Sequence, residues 1–433
     1  MILNKKLVKV VCVIQLAFLP CSILGQNKII DTSIHKLVQE QTNLIFDSLV
    51  KIRRDLHMYP ELAEQEKRTS KTIALYLKSL GLEVHTHIGG YGVVGILRTN
   101  KKGKRIAWRT DIDALESNHP DVVNFLSKNK GLRHICGHDV HTTIALGMAK
   151  VLTSLKDSLT GTVYFIFQPA EENWVGAKAM INDGLLNLID PEEIYALHIA
   201  PMSEGIISTK SRNPYADYKG IEVTLKNTEE KDTLINYTKE LLLNLQNIAA
   251  DSKFWDNRNL LDPNIGLGSP NTIFKDYVTV NPKITVKETG NEISIKAYLS
   301  AEKDTQLELT LRQIKEKFQN SEYATQYIDS KFYYETALML NDEKLTSATL
   351  SAISDIYGNE NVLPLYGAIP DGRGDDFAFF QREIPGVYFL LGASDFEKGI
   401  VSMPHSPSFG VDENCIKSGV NFFSSMIIER LKY

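Results

Sequence analysis

The spacing of apolar positions changes along this chain, and each change predicts a different kind of element. Leu44, Ile45, Leu49, Ile52 and Leu56 recur at helical intervals, and a second set, Ile73, Leu75, Leu77 and Leu80, ends at Gly81. That spacing predicts two helices within residues 42–80, the second stopped by its glycine. Beyond Gly81 come short β-rich apolar runs at residues 92–97, 105–109, 162–167, 194–198 and 387–391, alternating with helical stretches at 142–155 and 177–186. Strands that are apolar throughout, rather than at every second position, are buried on both faces. Their alternation with helices predicts an α/β fold with a mostly parallel sheet between helices.

Residues 215–336 have a different texture. The runs 220–225 and 292–299 alternate like strands of a half-exposed sheet, while 233–252 and 305–322 have the pattern of amphipathic helices lying on one face of it. This stretch, rich in Asn, Lys and Asp, reads as a smaller α+β lid domain inserted into the first. The catalytic domain would then be formed from residues 26–214 and 337–433.

The length of 433 residues accommodates two domains, and 43% hydrophobic with 23% charged residues is ordinary for a soluble globular protein. Residues 1–25 stand apart. Lysines precede an apolar stretch at 7–19, Pro20 breaks it, and Gly25-Gln26 offers a cleavage point. This is the pattern of an export signal, and its apolar part falls short of the roughly 20 residues a membrane-spanning helix needs. The mature protein is therefore expected to be periplasmic or secreted, with no stable membrane span. Lipid anchoring through Cys21 is the weaker reading, since Pro20 and Phe18 suit that processing poorly. Losing Lys5, Lys6 and Lys9 takes the net charge from −5 to −8, which argues against a nucleic-acid partner. Of the four cysteines, Cys12 and Cys21 leave with this segment. Cys136 and Cys415 remain, too few for a disulfide framework, and Cys415 reads as a packed thiol.

Cys136-Gly137-His138-Asp139-Val140-His141 changes the picture, because Glu172, His198 and His405 accompany it. Thiolate, imidazole and carboxylate are the side chains that hold zinc and related divalent ions. Each has a blander reading alone: Cys-Gly-His as a buried thiol and structural histidine, Glu171-Glu172 as an acidic helix start, Asp111 and Asp113 as turn caps. Their positions reverse it. Asp111 and Asp113 follow the run 105–109, Glu171 and Glu172 follow 162–167, and His198 ends 194–198. In open α/β sheets ligands bind outside the carboxyl ends of strands, and acids gathered at one rim repel one another unless positive charge lies between them. Asp113 suits orienting a histidine ligand. Glu171, beside a ligand candidate, suits taking a proton from water. His141 reads equally as support for a ligand or as packing. His57, His85, His87, His119 and His134 read as structural or surface residues. The chain has no His-Glu-x-x-His, Gly-x-Ser-x-Gly, phosphate loop or dinucleotide fingerprint.

Pro60-Glu61-Leu62, Arg109-Thr110-Asp111-Ile112-Asp113-Ala114-Leu115, Cys136-Gly137-His138-Asp139-Val140-His141, the Glu171-Glu172 segment, His198-Ile199-Ala200-Pro201, Asp376-Phe377 and His405-Ser406-Pro407 occur in this order. Together they resemble the M20 metallopeptidase family, in particular its amidohydrolase branch, subfamily D, which includes N-acyl-amino-acid, hippurate and auxin-conjugate hydrolases. The resemblance implies a two-metal centre, zinc or manganese, held by Cys136, His138, Glu172, His198 and His405. It makes Glu171 the general base, and Asp113, read above as orienting a histidine ligand, is counted with it among the catalytic residues. It further implies hydrolysis of the amide bond of N-acyl amino acids or similar small amides, and a lid often used to form homodimers. A dipeptidase or carboxypeptidase of the same machinery is the near alternative; a metal-containing binding protein with an altered lid is the distant one. The chain departs from the pattern at Glu116, where proline is usual. It departs again at Leu225-Lys226-Asn227-Thr228-Glu229-Glu230-Lys231, where the lid's substrate histidine is missing. Arg373, near Asp375 and Asp376, is the expected substitute for the lid's substrate-binding arginine.

Overall fold

The computed structural model describes residues 32–370 and 374–432; the expected export segment, with Cys12 and Cys21, and Arg373 lie outside the described residues. The main sheet has eight strands, in the spatial order Glu83–Ile88, Gly92–Arg98, Thr162–Gln168, Arg105–Asp111, Glu193–Ser203, Gly386–Ser394, Ile207–Thr209, Val362–Pro364. Its centre, from Thr162–Gln168 to Gly386–Ser394, is parallel, and antiparallel pairs occur towards both edges. The fold is thus a mixed α/β architecture with a largely parallel central sheet.

Alternation along the strands divides the core in two. Trp108, Phe165, Phe167, Tyr195, Leu197, Phe389 and Leu391 face one side. There they meet the long helices Thr32–Met58, His138–Ser154 and Asn414–Leu431, together with Lys67–Ser79 and Glu343–Tyr357. Ala107, Tyr164, Ile166, Ala196, Tyr388 and Leu390, one position out of phase, face the other side. Successive side chains of a strand point to opposite faces, so continuous apolar runs need cover on both. The second face is covered by short helices, Gly176–Asn182, Leu185–Leu188 and Ala378–Gln381, and by Phe254, Leu260, Leu267, Phe274 and Tyr277. These last residues belong to the stretch assigned by composition to the insertion, yet they pack on the main sheet. The described residues form one compact unit.

A second, antiparallel sheet has five strands, among them Asp217–Lys226, Glu292–Ala301 and Tyr327–Glu335. Ile221, Val223, Ile293, Ile295 and Leu299 pack against Leu234 and Leu242 of helix Lys231–Leu243 and against Leu307, Ile314 and Phe318 of helix Asp304–Gln319. The helix expected over 233–252 stops at Leu243. The next residues pair with a strand instead: Asn247 Oδ1 accepts from Val278 N at 2.7 Å and Gln246 Oε1 from Val280 N at 3.2 Å. Among the described residues, no helix is long and apolar enough to cross a membrane.

Candidate functional site

Strand ends and one helix start carry the candidate side chains. Asp111 is the last residue of its strand and Asp113 follows two residues on. The helix expected from 142 begins earlier, at His138, with Gly137 as its N-cap at φ +100°. A Cβ at Gly137 would lie 2.3 Å from Ile199 Cδ1, so both backbone angle and space demand glycine between Cys136 and His138. Glu171 and Glu172 follow strand Thr162–Gln168 through Ala170 at φ +52°, whose N–H donates to Glu66 Oε1 at 2.8 Å. His198 lies within strand Glu193–Ser203. His405, at φ +61°, donates its backbone N–H to Ile135 O at 2.8 Å.

These segments bring six side chains around one space. Cys136 Sγ is 3.2 Å from His198 Nε2 and 3.1 Å from His405 Nε2. Glu172 Oε1 is 3.4 Å from His405 Nε2 and 3.8 Å from His138 Nε2, and Glu171 Oε2 is also 3.8 Å from His138 Nε2. The thiol belongs to two overlapping triads of metal-holding groups, one with His138 and His198, the other with Glu172 and His405.

Hydrogen bonds fix which ring nitrogens face the space. His138 Nδ1 lies 3.0 Å from Asp113 O and 3.1 Å from its Oδ1, so Nδ1 carries the proton and Nε2 presents a lone pair. His198 Nδ1 donates to Ile199 O at 2.7 Å, again leaving Nε2 bare. Asp113 Oδ2 accepts from Glu172 N at 2.9 Å, so one carboxylate steadies both residues. His138 Nε2 and Glu172 Oε1 are buried without a hydrogen-bond partner. Buried polar atoms are rarely left so, and a cation among thiol, imidazole and carboxylate would satisfy both. The residues present therefore fit a divalent metal centre. His141 does not share in it: Nδ1 is 2.7 Å from Asp111 Oδ1, and Nε2 accepts from Ile199 N at 2.9 Å. Both nitrogens are used, which makes it a strut.

Behind Glu171 lies a charge cluster. The fully buried Arg109 donates to Asp111 Oδ2 at 2.9 Å, Asp375 Oδ2 at 3.0 Å, Asp376 Oδ1 at 3.0 Å and Gln168 Oε1 at 2.8 Å. One guanidinium thus faces three carboxylates, and Glu171 adjoins Asp375 and Asp376. Burial, and then the negative Asp375, push the Glu171 carboxyl well above its usual range. Burial alone would raise Asp111 as well, but His138, His141 and Arg109 outweigh it and hold that carboxyl well below normal. Burial also drives the Cys136 thiol up, and with His141 beside it lowers His198 to about 3, the neutral form that binds metals.

A cavity of about 410 Å³ opens over these groups, walled by Trp174, Tyr215, Ile369 and Met403 besides Glu171 and His405. Among the described residues, its lining comes from the stretches 136–215 and 369–405, so no residue of the second sheet reaches it. Trp174, Tyr215, Ile369 and Met403 escaped the sequence reading, because wall residues carry no motif. The histidines read as structural include His57, buried with Nδ1 2.9 Å from Asp139 Oδ2, and His134, buried away from the cavity.

The model of Peptidase family M20/M25/M40 matches residues 107–429. The thermostable carboxypeptidase 2 of Saccharolobus solfataricus is 30% identical over 394 residues, covering 87% of this chain and 93% of that protein. The IAA-amino acid hydrolase ILR1-like 4 of Arabidopsis thaliana is 28% identical over 396 residues, covering 90% and 87%. Among solved structures, a dinuclear metal binding peptidase of the M20 family from Bacillus subtilis shares the fold with a TM-score of 0.70 and 24% identity, over 90% of this chain and 99% of that one. A family match across three quarters of the sequence, with relatives aligned over nearly their whole length, places the chain in peptidase family M20/M25/M40.

Proposed function

We propose that this hydrolase of C–N bonds is a metal-dependent amidohydrolase cleaving N-acyl amino acids or similar small amides, with Glu171 as general base. The observation that carries the reading is the shared thiol: Cys136 Sγ lies within 3.2 Å of two imidazole nitrogens, with two adjacent glutamates facing the same space. Cys136, His138, Glu172, His198 and His405 would hold two divalent ions. Zinc suits the thiolate and imidazoles, and manganese the carboxylate. Bound ions of this kind supply Lewis acidity, acidifying water and polarising an amide carbonyl.

The chain's own residues divide the remaining work. Glu171 takes the proton of the attacking water as the new C–O bond forms. It then delivers that proton to the nitrogen as the C–N bond breaks, leaving a carboxylic acid and an amine. Asp113 holds His138 in the tautomer that turns Nε2 inward and pins the backbone of Glu172. Trp174 and Tyr215 wall the cavity and limit water around the reacting amide. A carboxypeptidase or dipeptidase would use the same groups, as the name of the Saccharolobus relative suggests, and would differ only in what lies on the acyl side. Export is part of the same proposal, on the pattern of residues 1–25 alone, as is a lid role for residues 215–336, supported by the second sheet although Phe254, Leu260 and Phe274 of that stretch pack on the main one.

The test is hydrolysis of a panel of N-acyl amino acids and dipeptides by protein stripped of metal and reloaded with zinc or manganese. Turnover that disappears on chelation and returns with metal supports the reading. Turnover indifferent to chelation contradicts it.

A further inference from the structure

A second cavity, of about 640 Å³, adjoins the one above the cysteine and is larger than it. Ala200, Pro201, Ile369, Leu390 and Met403 line both. The far wall is apolar, built from Leu260, Leu261, Leu267, Leu363, Leu365 and Phe396. Two of these, Leu261 and Phe396, are 45% and 52% exposed, unusual for large apolar residues brought together from separate segments.

The charged residues around this cavity are already engaged. Arg258 is held by Asp256, with Nη2 2.6 Å from Oδ2, and Asp262 Oδ1 accepts from Asn264 N at 2.7 Å and Ile265 N at 3.1 Å. Among the described residues, Asn257, Arg258 and Asp262 are the polar side chains of its lining, and the rest of the lining is apolar. The wall is a built structure rather than a loose loop: Leu267 N donates to Leu260 O at 2.9 Å, and Tyr366 N to Leu267 O at 2.8 Å. Its volume lies in the range of sites that enclose whole small molecules.

We propose that this cavity receives the acyl half of the substrate, so that the enzyme acts on amino acids N-acylated by a large apolar group such as a medium or long alkanoyl chain. This rests on the amidohydrolase reading and narrows its substrate class. The amide sits over Glu171, the acyl chain passes Pro201 and Met403, and its end lies among Leu260, Leu261 and Phe396. Met403, unbranched and adaptable, suits the junction between the two cavities.

The test is kcat/KM for N-alkanoyl-alanines from acetyl to dodecanoyl, using the metal-loaded protein. Burial of each methylene should raise kcat/KM about fourfold until the cavity is filled. Leu261→Asp should cut the dodecanoyl-to-acetyl ratio about tenfold or more; a ratio taken within one preparation is independent of how much of the protein is folded. Dodecanoate should also bind the metal-free protein, and more weakly after Leu261→Asp. Equal kcat/KM across the series, or a ratio untouched by Leu261→Asp, overturns the acyl cavity while leaving the hydrolase reading intact. No turnover of any member with metal bound overturns both.

Discussion

Removing the Asp113 carboxylate tests whether the candidate ligands are positioned by their neighbours. In Asp113→Ala, His138 loses the 3.1 Å contact to Oδ1 but keeps the backbone oxygen at 3.0 Å, whereas Glu172 N loses its acceptor outright. A hydrogen bond to a charged group contributes about 1.5–3 kcal/mol. One full bond and part of another therefore amount to about 2–3 kcal/mol, or a roughly 30- to 150-fold loss of metal affinity. That agrees with the approximately 10- to 100-fold effect usual for groups that orient metal ligands. Asp113→Asn keeps one oxygen, enough for one of the two partners, and should lose only about tenfold. Competition against a chelating dye measures both variants, with circular dichroism to verify that they are folded. Affinity within threefold of wild type in a folded Asp113→Ala protein, or an Asn variant weaker than the Ala variant, would refute the reasoning.

Other substitutions probe the support around the site. Arg109→Met strands Asp111, Asp375 and Asp376 in the interior and should destabilise the fold by about 3–5 kcal/mol in urea denaturation; a loss below 1 kcal/mol would mean the cluster is not held by that guanidinium. Gly137→Ala forces a side chain into φ +100° against Ile199 and should cost at least about 1–2 kcal/mol, with metal binding weakened alongside, whereas an unchanged urea midpoint would contradict it. Burial pushes the Glu66 carboxyl from 4.5 up to about 7. Between those values the native state keeps a proton that the unfolded chain has lost, so stability falls as pH rises from about 4.5 to about 7 and levels off above, by roughly 3 kcal/mol in all. Glu66→Gln should remove that slope from the pH dependence of the urea midpoint, and identical slopes in the two proteins would disprove the assignment.

Sequence and structure agree where a residue's role is local. The apolar runs 105–109 and 162–167 announce strands covered on both faces, and Trp108 and Ala107 duly point to opposite cores. The cysteine–histidine run, the paired glutamates, His198 and His405 were legible because ligand chemistry needs particular side chains, and Cys136, His138, Glu171, Glu172, His198 and His405 lie around one space. What stayed hidden depends on distant partners. Phe254, Leu260 and Phe274 have no helical or strand period, so nothing in their spacing says that they seal the main sheet rather than the second one. Arg109 ends a predicted strand, and nothing near it in the sequence shows that Asp375 and Asp376 arrive from the far end of the chain to pair with it. The tautomers of His138 and His198 rest on backbone oxygens, which no sequence displays.

The central claim is that Glu171 moves the proton while its neighbours hold the metal. Glu171→Gln, assayed for N-acyl amino acid hydrolysis beside its metal content, addresses both halves at once. The account predicts turnover reduced by about 10²–10⁴-fold with the ions retained as in wild type. Undiminished turnover with those ions bound would contradict it.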